Sequence, residues 1–504
     1  MQFNQVELQL PAQKYKQNQM DEGEKIYQNG TPSINDNYYE GKDEDQFGVD
    51  QNGDSEQEKS TSKATPDNMS KSESIIEVNP SNKKQAKSST MYAYMNLFKG
   101  YIGSGILALP YAFTQAGWVL SSMIFLLVAF IVYDTMNLLF ELADSYGKEG
   151  VDYQFIAKHH FGRKGQFAVS TFIVIFQVGC CISYVIFFMK FLENVFGMAG
   201  KTQENDIIYL LIALAIIIPM SFINSISAFA KISILANFMI VVTLLAIFSY
   251  NIQKIGELQP DIYSRNLNDT FDFSRIPMMI GVSIYAFEAI GLIFSIRNSV
   301  ENPQLQFGAI FRNTNIVMVS VYIVFSVVAV IAYGDDMNEI ILFSLPNDQK
   351  SVQFFQIIYA FALIMSYPLQ LLPTFQILES NQKIHKFIYQ QRAMPDNSNK
   401  EPCSTIARRM VMRVSVTLCI CFCAYAVPRF AIFLNIIGAV AGTSLQFILP
   451  IIMYLQTFKD TMKTFKKFKL YIFFLIGVIG GLSSFIFSVI ELAQQREATE
   501  TDNN

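Results

Sequence analysis

Glu288 stands near the centre of the apolar run 276–296, within the stretch GVSIYAFEAIG (281–291). An ionisable group at hydrocarbon depth is costly to bury, so it marks a place where a proton, a partner charge or a ligand is handled. Three roles are open for it: to titrate, to pair with a polar group on another helix, or simply to hold helices together. A second run, 93–113, contains NLFKGYIGSGILALP (96–110), in which Gly100, Gly103, Gly105 and Pro110 weaken the helical hydrogen-bond ladder. Exposed backbone in mid-membrane is tolerated only where it lines a cavity or is buried in protein. A half-helix starting there aims unsatisfied amides and a positive dipole end at an anion such as a carboxylate. The competing reading of the same glycines is close helix packing through small residues.

The rest of the chain offers little for other chemistries. The three histidines, His159, His160 and His385, fall in expected cytoplasmic loops, which argues against a histidine metal site or protease. There is no phosphate-binding loop, dinucleotide fingerprint or haem motif. No cofactor, no metal and no enzymatic activity are expected. Cys180, Cys181, Cys419, Cys421 and Cys423 lie in apolar runs and Cys403 in a basic loop, so no disulfide is expected and the close cysteines read as small packing residues.

The elements that must position Glu288 and the glycine-rich run follow from composition. The chain has 504 residues, 51% hydrophobic and 16% charged, with 44 Phe against one Trp. Soluble chains average about 25% charged residues. Residues 1–90 carry 16 acidic and 10 basic side chains, leaving 26 and 28 for the remainder. The net charge of −4 is therefore an acidic tail on a slightly basic, apolar body. A soluble enzyme and a basic nucleic-acid binder are both excluded.

Beyond residue 90 the body divides into eleven apolar runs long enough to cross ~30 Å of hydrocarbon. They are 93–113, 117–140, 167–192, 207–223, 232–251, 276–296, 313–333, 352–378, 410–427, 430–457 and 470–490. The reading is an all-α, multi-pass integral membrane protein of about eleven transmembrane helices. It has three parts: a disordered polar cytoplasmic tail over 1–90, a transmembrane domain over 91–493 and a short C-terminal tail over 494–504. No cleaved signal peptide is expected, so the first span directs insertion. With the N-terminus in the cytoplasm, segments on the inner side carry 23 Lys and Arg and those on the outer side 8, the bias that sets orientation. The C-terminus is then extracellular or luminal, and Asn268 in the sequon Asn268-Asp269-Thr270 is a glycosylation candidate on the outer side. The glycine-rich run and the Glu288 run are the first and sixth. That spacing of five is expected if two inverted five-helix repeats each contribute a broken helix to one midplane site.

NLFKGYIGSGILALPYAFTQAG (96–117) resembles the opening signature of the amino acid/auxin permease family, with its proton-coupled and vacuolar amino acid transporters the most similar branch. Four further stretches match that family in order: AFEAIGLIFSIRNSVENPQLQF (286–307), YGDDMNEIILFSLP (333–346), SYPLQLLPTFQILE (366–379) and VPRFAIFLNIIGAVAGTSLQFILP (427–450). The resemblance covers residues 91 to about 458. It implies a leucine-transporter-like five-plus-five inverted-repeat core plus one helix, and alternating-access transport of amino acids. Carried over by position, the backbone of Ile102, Gly103, Ser104, Gly105 and Ile106 surrounds the substrate's amino and carboxylate groups. Ser283, Tyr285, Ala286, Phe287 and Glu288 cover the opposite side. Tyr367, beside Pro368, falls in the eighth-span motif as a wall or scaffold position. Asn435 and Gly438 fall in the tenth-span motif, at an expected outer gate.

Two departures bear on coupling. Animal proton-coupled members of the family have a histidine where this chain has Asn96. Sodium-coupled members have a small polar residue of the cation site where this chain has Lys99. An ammonium there either takes the place of a bound cation, favouring protons over sodium, or snorkels to the cytoplasmic surface. The expectation is a proton-coupled carrier of small neutral amino acids in a vacuolar, lysosomal or plasma membrane, with Lys99, Glu288, Tyr367 and Asn435 as coupling or gating candidates. Its partners are the amino acid, protons and the lipid bilayer, and no nucleic acid. Two alternatives share the sequence: a sodium-coupled transporter, and a non-transporting sensor that signals amino acid occupancy through its N-terminal tail.

Overall fold

The computed structural model describes residues 90–196, 203–222, 226–260, 262, 264, 271–389, 403–427 and 429–502. The tail over 1–90 (save Thr90) and the sequon at Asn268 lie outside the described residues. Among those described, nine helices are long and apolar enough to cross a membrane, running from Trp118–Ser145 to Thr464–Gln494. The shorter apolar helix Ile207–Ser221 supplies the fourth span. The first is split into Thr90–Tyr101 and Gly105–Ala116, neither long enough to cross alone. Together these account for the eleven expected runs, and every described element is helical.

Several helices outrun their apolar cores, because a hydrophobic run records only the part in hydrocarbon. The third-span helix begins at Tyr153, and its amphipathic first stretch carries His159 and His160, so these two sit on helix rather than in a loop. Gly162 (φ 63°, ψ −152°) separates that stretch from the membrane-crossing part, a conformation that only glycine adopts cheaply. The last helix continues from Thr464 to Asp502. His385 likewise lies on a short helix, Gln382–Tyr389.

The sixth span is interrupted as well. An α-helix over Ile276–Ala286 stops at Phe287 (φ −88°, ψ 56°), a 3-10 turn covers Glu288–Gly291, and helix resumes over Ile293–Ser299. The tenth span bends differently, through two π-helical turns over Gly438–Gly442 and Ser444–Ile448. Such turns concentrate at functional sites.

Packing divides the spans into two groups. The first, second, sixth and seventh pack on one another, and the third, fourth, fifth, eighth and ninth form the other set, with the eighth lying along the third and fifth. The tenth and eleventh cover the sixth. The approach of the sixth to the tenth is very close: a Cβ at Gly438 would lie 2.0 Å from the Gly281 carbonyl oxygen, and one at Gly281 would lie 1.8 Å from Asn435 Oδ1. Small residues are what let membrane helices touch at backbone level.

Candidate functional site

The two interrupted helices face each other, and most hydroxyl-bearing side chains around them reach for the backbone that the interruptions free. Residues 102–104 lie outside helix, between Tyr101 and Gly105. Tyr359 of the eighth span donates to the Gly103 carbonyl at 2.9 Å. Tyr322 of the seventh donates to the Tyr101 carbonyl at 2.5 Å and reaches Ala286 O in the sixth at 3.3 Å. One phenol thereby bridges the two breaks. Gln446 of the tenth span does the equivalent on the sixth, its Nε2 donating to Ile284 O at 3.1 Å and lying 3.5 Å from Phe287 O. Buried carbonyls left unpaired would cost about 1–3 kcal/mol each, so these donors are part of what keeps a broken helix stable in a bundle.

Between the breaks lies a closed triangle of hydroxyls. Ser104 Oγ is 2.6 Å from Ser183 Oγ and 2.9 Å from the Tyr285 hydroxyl, which is itself 3.0 Å from Ser183 Oγ. All three residues are buried. Ser183 also donates to Cys180 O at 2.7 Å, one helical turn back in the third span.

The expected site residues separate into two kinds of surroundings. Ser104 and Tyr285 meet in this triangle, while Gly103 and Ala286 are held through their carbonyls by Tyr359 and Tyr322. The Phe287 ring is stacked on Phe125 at 5.6 Å and edge-on to Tyr101 at 5.9 Å. Ile102 is partly buried, and Gly105 and Ile106 are fully buried in the first turn of the second half-helix. Ser283 is buried, but its hydroxyl donates to Met279 O of its own helix at 2.6 Å. Glu288 opens the 3-10 turn, while its side chain lies outside the described ones. Lys99 is buried, with 9% of its surface exposed, in the last turn of the first half-helix. That is the end of the helix dipole that favours a cation. Tyr367 is fully buried, and its carbonyl oxygen lies 3.9 Å from Cys181 Sγ of the third span. Asn435 is also fully buried, and its amide donates to Ser484 O at 3.1 Å and Ser488 Oγ at 2.7 Å, tying the tenth span to the eleventh.

Sequence reasoning missed Ser183, Tyr322, Tyr359 and Gln446. Gln446 had a readable signal, an amide inside a membrane-crossing run, since polar groups at that depth are retained for a reason. The two tyrosines and Ser183 are unremarkable in sequence, because only tertiary packing brings them to the breaks.

At one end of the bundle the spans are joined by an ionic network. Arg429, which precedes the tenth span, binds Glu339 at 2.7 Å, Glu491 at 3.3 Å and the Tyr111 hydroxyl at 3.1 Å. Glu491 also binds Arg275 at 2.7 Å, and Glu339 lies 3.9 Å from Lys190. At the other end of the sixth span, buried Arg297 pairs with Asp144 of the second. The network thus ties the loop after the seventh span to the sixth, tenth and eleventh.

Residues 86–492 match the family model described as transmembrane amino acid transporter protein. Among curated proteins, the chain is 28% identical over 298 residues to vacuolar amino acid transporter 3 of Saccharomyces cerevisiae, an alignment covering 58% of this chain but only 42% of the yeast protein. It is 27% identical to amino acid transporter AVT3B of Arabidopsis thaliana, over 81% of this chain and 95% of the plant protein. Amino acid transporter ANT1 of the same plant is 24% identical over 76% and 88%. Among solved structures, the inward-facing conformation of Mhp1 superposes with a TM-score of 0.51 at 14% identity, covering 83% of this chain and 94% of that one. A sodium-coupled sialic acid symporter in a substrate-bound outward-open state gives 0.50 at 10% identity, over 80% and 90%. These likenesses show the fold, a leucine-transporter-like arrangement of helices.

Proposed function

This chain belongs to the transmembrane amino acid transporter family, and from that premise we propose that it carries amino acids across a membrane by alternating access, with the substrate held between the interruptions of the first and sixth spans. The observation that carries this reading is the facing pair of breaks, whose freed carbonyls and hydroxyl cluster put polar groups at the depth where such folds bind their cargo. The substrate carboxylate meets the amides of Gly103–Gly105 at the start of the second half-helix, where the dipole is positive. Ile102 and Ile106 flank those amides, and Tyr285, Ala286 and Phe287 face them from the sixth span. The aromatic wall of Phe287, Phe125 and Tyr101 favours small neutral side chains.

Coupling is to protons. Lys99, buried at the dipole-negative end of the first half-helix, supplies the positive charge that a bound sodium ion would otherwise bring. Glu288 is the titrating or gate-linked carboxyl. The direction is down a proton gradient into the cytoplasm, with the N-terminus cytoplasmic and the C-terminus on the far side. Two yeast relatives are named as vacuolar amino acid transporters, which supports the membrane of an acidic compartment.

Uptake of radiolabelled amino acids into proteoliposomes, under an inward proton gradient or an inward sodium gradient, tests the whole reading. Stimulation by protons alone is expected. Stimulation by sodium would overturn the role given to Lys99, and no uptake of any amino acid under either gradient would overturn transport itself.

A further inference from the structure

Ser183, one turn beyond the paired cysteines of the third span, does not come from either broken helix, yet it touches both. Its hydroxyl has one proton to give and two lone pairs to offer. The proton goes to Cys180 O at 2.7 Å. Ser183 therefore faces its two neighbours in the hydroxyl triangle as an acceptor, taking Ser104 at 2.6 Å and Tyr285 at 3.0 Å. Ser104 and Tyr285 are then two adjacent donors, 2.9 Å apart, able to turn together toward an acceptor-only group.

An amino acid head presents both halves of the complementary pattern, an acceptor-only carboxylate and an ammonium with three donors. The ammonium needs acceptors, and the backbone around the breaks is already heavily used. The carbonyls of Tyr101, Gly103 and Ala286 accept from phenols, and that of Ile284 accepts from Gln446. When Ser104 and Tyr285 swing to the carboxylate, the lone pairs of Ser183 are released at the same moment and in the same place.

We infer that Ser183 is a third substrate-contacting residue, contributed by the third span, whose hydroxyl accepts from the substrate ammonium while Ser104 and Tyr285 donate to the carboxylate. The assignment rests on the transport reading above and adds a residue that the family motifs quoted for this chain do not contain. It also gives binding a structural consequence. Ser183 stands on the span group that packs against the eighth, whereas Ser104 and Tyr285 stand on the broken helices of the other group. A bound zwitterion therefore replaces a direct bond between the two groups with one made through the cargo.

The test is uptake of a radiolabelled panel of the twenty amino acids by proteoliposomes carrying the wild-type chain, Ser183→Ala or Ser183→Thr. For the best-carried member, Ser183→Ala should raise KM about tenfold or more, the scale of a hydrogen bond to a charged group. Vmax should stay within about twofold and thermal stability should fall only slightly, because Ser104 and the Tyr285 hydroxyl, 2.9 Å apart, can still bond each other and the lost bond to Cys180 O leaves only a helix carbonyl behind. Ser183→Thr, which keeps the hydroxyl, should restore KM. If Ser183→Ala leaves KM within twofold of wild type, or lowers Vmax and thermal stability together at constant KM, Ser183 is not a substrate contact. If the wild-type chain carries none of the twenty, the transport reading falls first and takes this assignment with it. The two failures are told apart by the wild-type vesicles alone.

Discussion

The Tyr359 hydroxyl sits 2.9 Å from the Gly103 carbonyl oxygen, so a side chain of the eighth span replaces the hydrogen bond that the interrupted first span cannot make for itself. Both residues are buried, and Gly103 lies at the centre of the three residues outside helix. The break is therefore held open by a partner from the other span group, which links backbone conformation there to the packing of the eighth span.

Tyr359→Phe removes that donor without changing shape. The unpaired Gly103 carbonyl should cost about 1–3 kcal/mol. Thermal unfolding of the purified protein should show the loss, and substrate uptake should fall more than stability accounts for if the freed backbone is at the proposed binding site. Uptake equal to wild type would show that the bond is not used there.

Glu288→Gln removes the ionisable carboxyl from the sixth-span turn while keeping its size. The expected outcome is slower uptake or a displaced pH profile, measured from about pH 5 to 8 at fixed membrane potential. Rates equal to wild type at every pH would take Glu288 out of the mechanism.

Gly438→Ala and Gly308→Ala should part company. At Gly438 the added methyl would stand 2.0 Å from the Gly281 carbonyl oxygen, a backbone atom that cannot yield cheaply. Over-packing of this kind costs about 1–3 kcal/mol or more, so loss of monodisperse protein or a lowered melting temperature is expected. Gly308 lies in the helix Pro303–Tyr333, and a Cβ there meets nothing within 4 Å. Alanine at that position should be neutral or stabilising by up to about 1 kcal/mol, from helix propensity alone.

Arg429 and Arg275 share Glu491, so their effects should not add. Arg429→Met breaks bonds to Glu339, Glu491 and Tyr111, whereas Arg275→Met breaks one ion pair, with Glu491, and its contact over the Phe487 ring. The Arg429 variant should lose more stability and more uptake. In a double-mutant cycle the coupling should reach about 0.5 kcal/mol or more, as for residues joined in one ionic network. Strict additivity would mean that Glu491 does not connect them.

Much of the architecture was legible before any coordinates. Each span is a run of apolar residues long enough to bridge hydrocarbon, and the first and sixth stand out by a cluster of glycines around Ser104 and by a carboxylate in an uncharged run, features that fit a break or close packing alike. Those are local properties, written in consecutive residues. Boundaries were less legible, because the amphipathic ends of helices, such as Tyr153–Phe161 and the extension to Asp502, leave no continuous apolar signal.

What the sequence by itself determined, then, is that this chain is a bundle of membrane-crossing helices in which the first and sixth carry the features that stand out. Tertiary structure decided which side chains complete that site. Ser183 is 79 residues from Ser104 and 102 from Tyr285, and Tyr359 is 256 from Gly103. No period or motif relates positions so far apart. They converge because buried carbonyls and hydroxyls in a bundle must find hydrogen-bond partners, and the nearest ones are supplied by whichever helix happens to pack alongside.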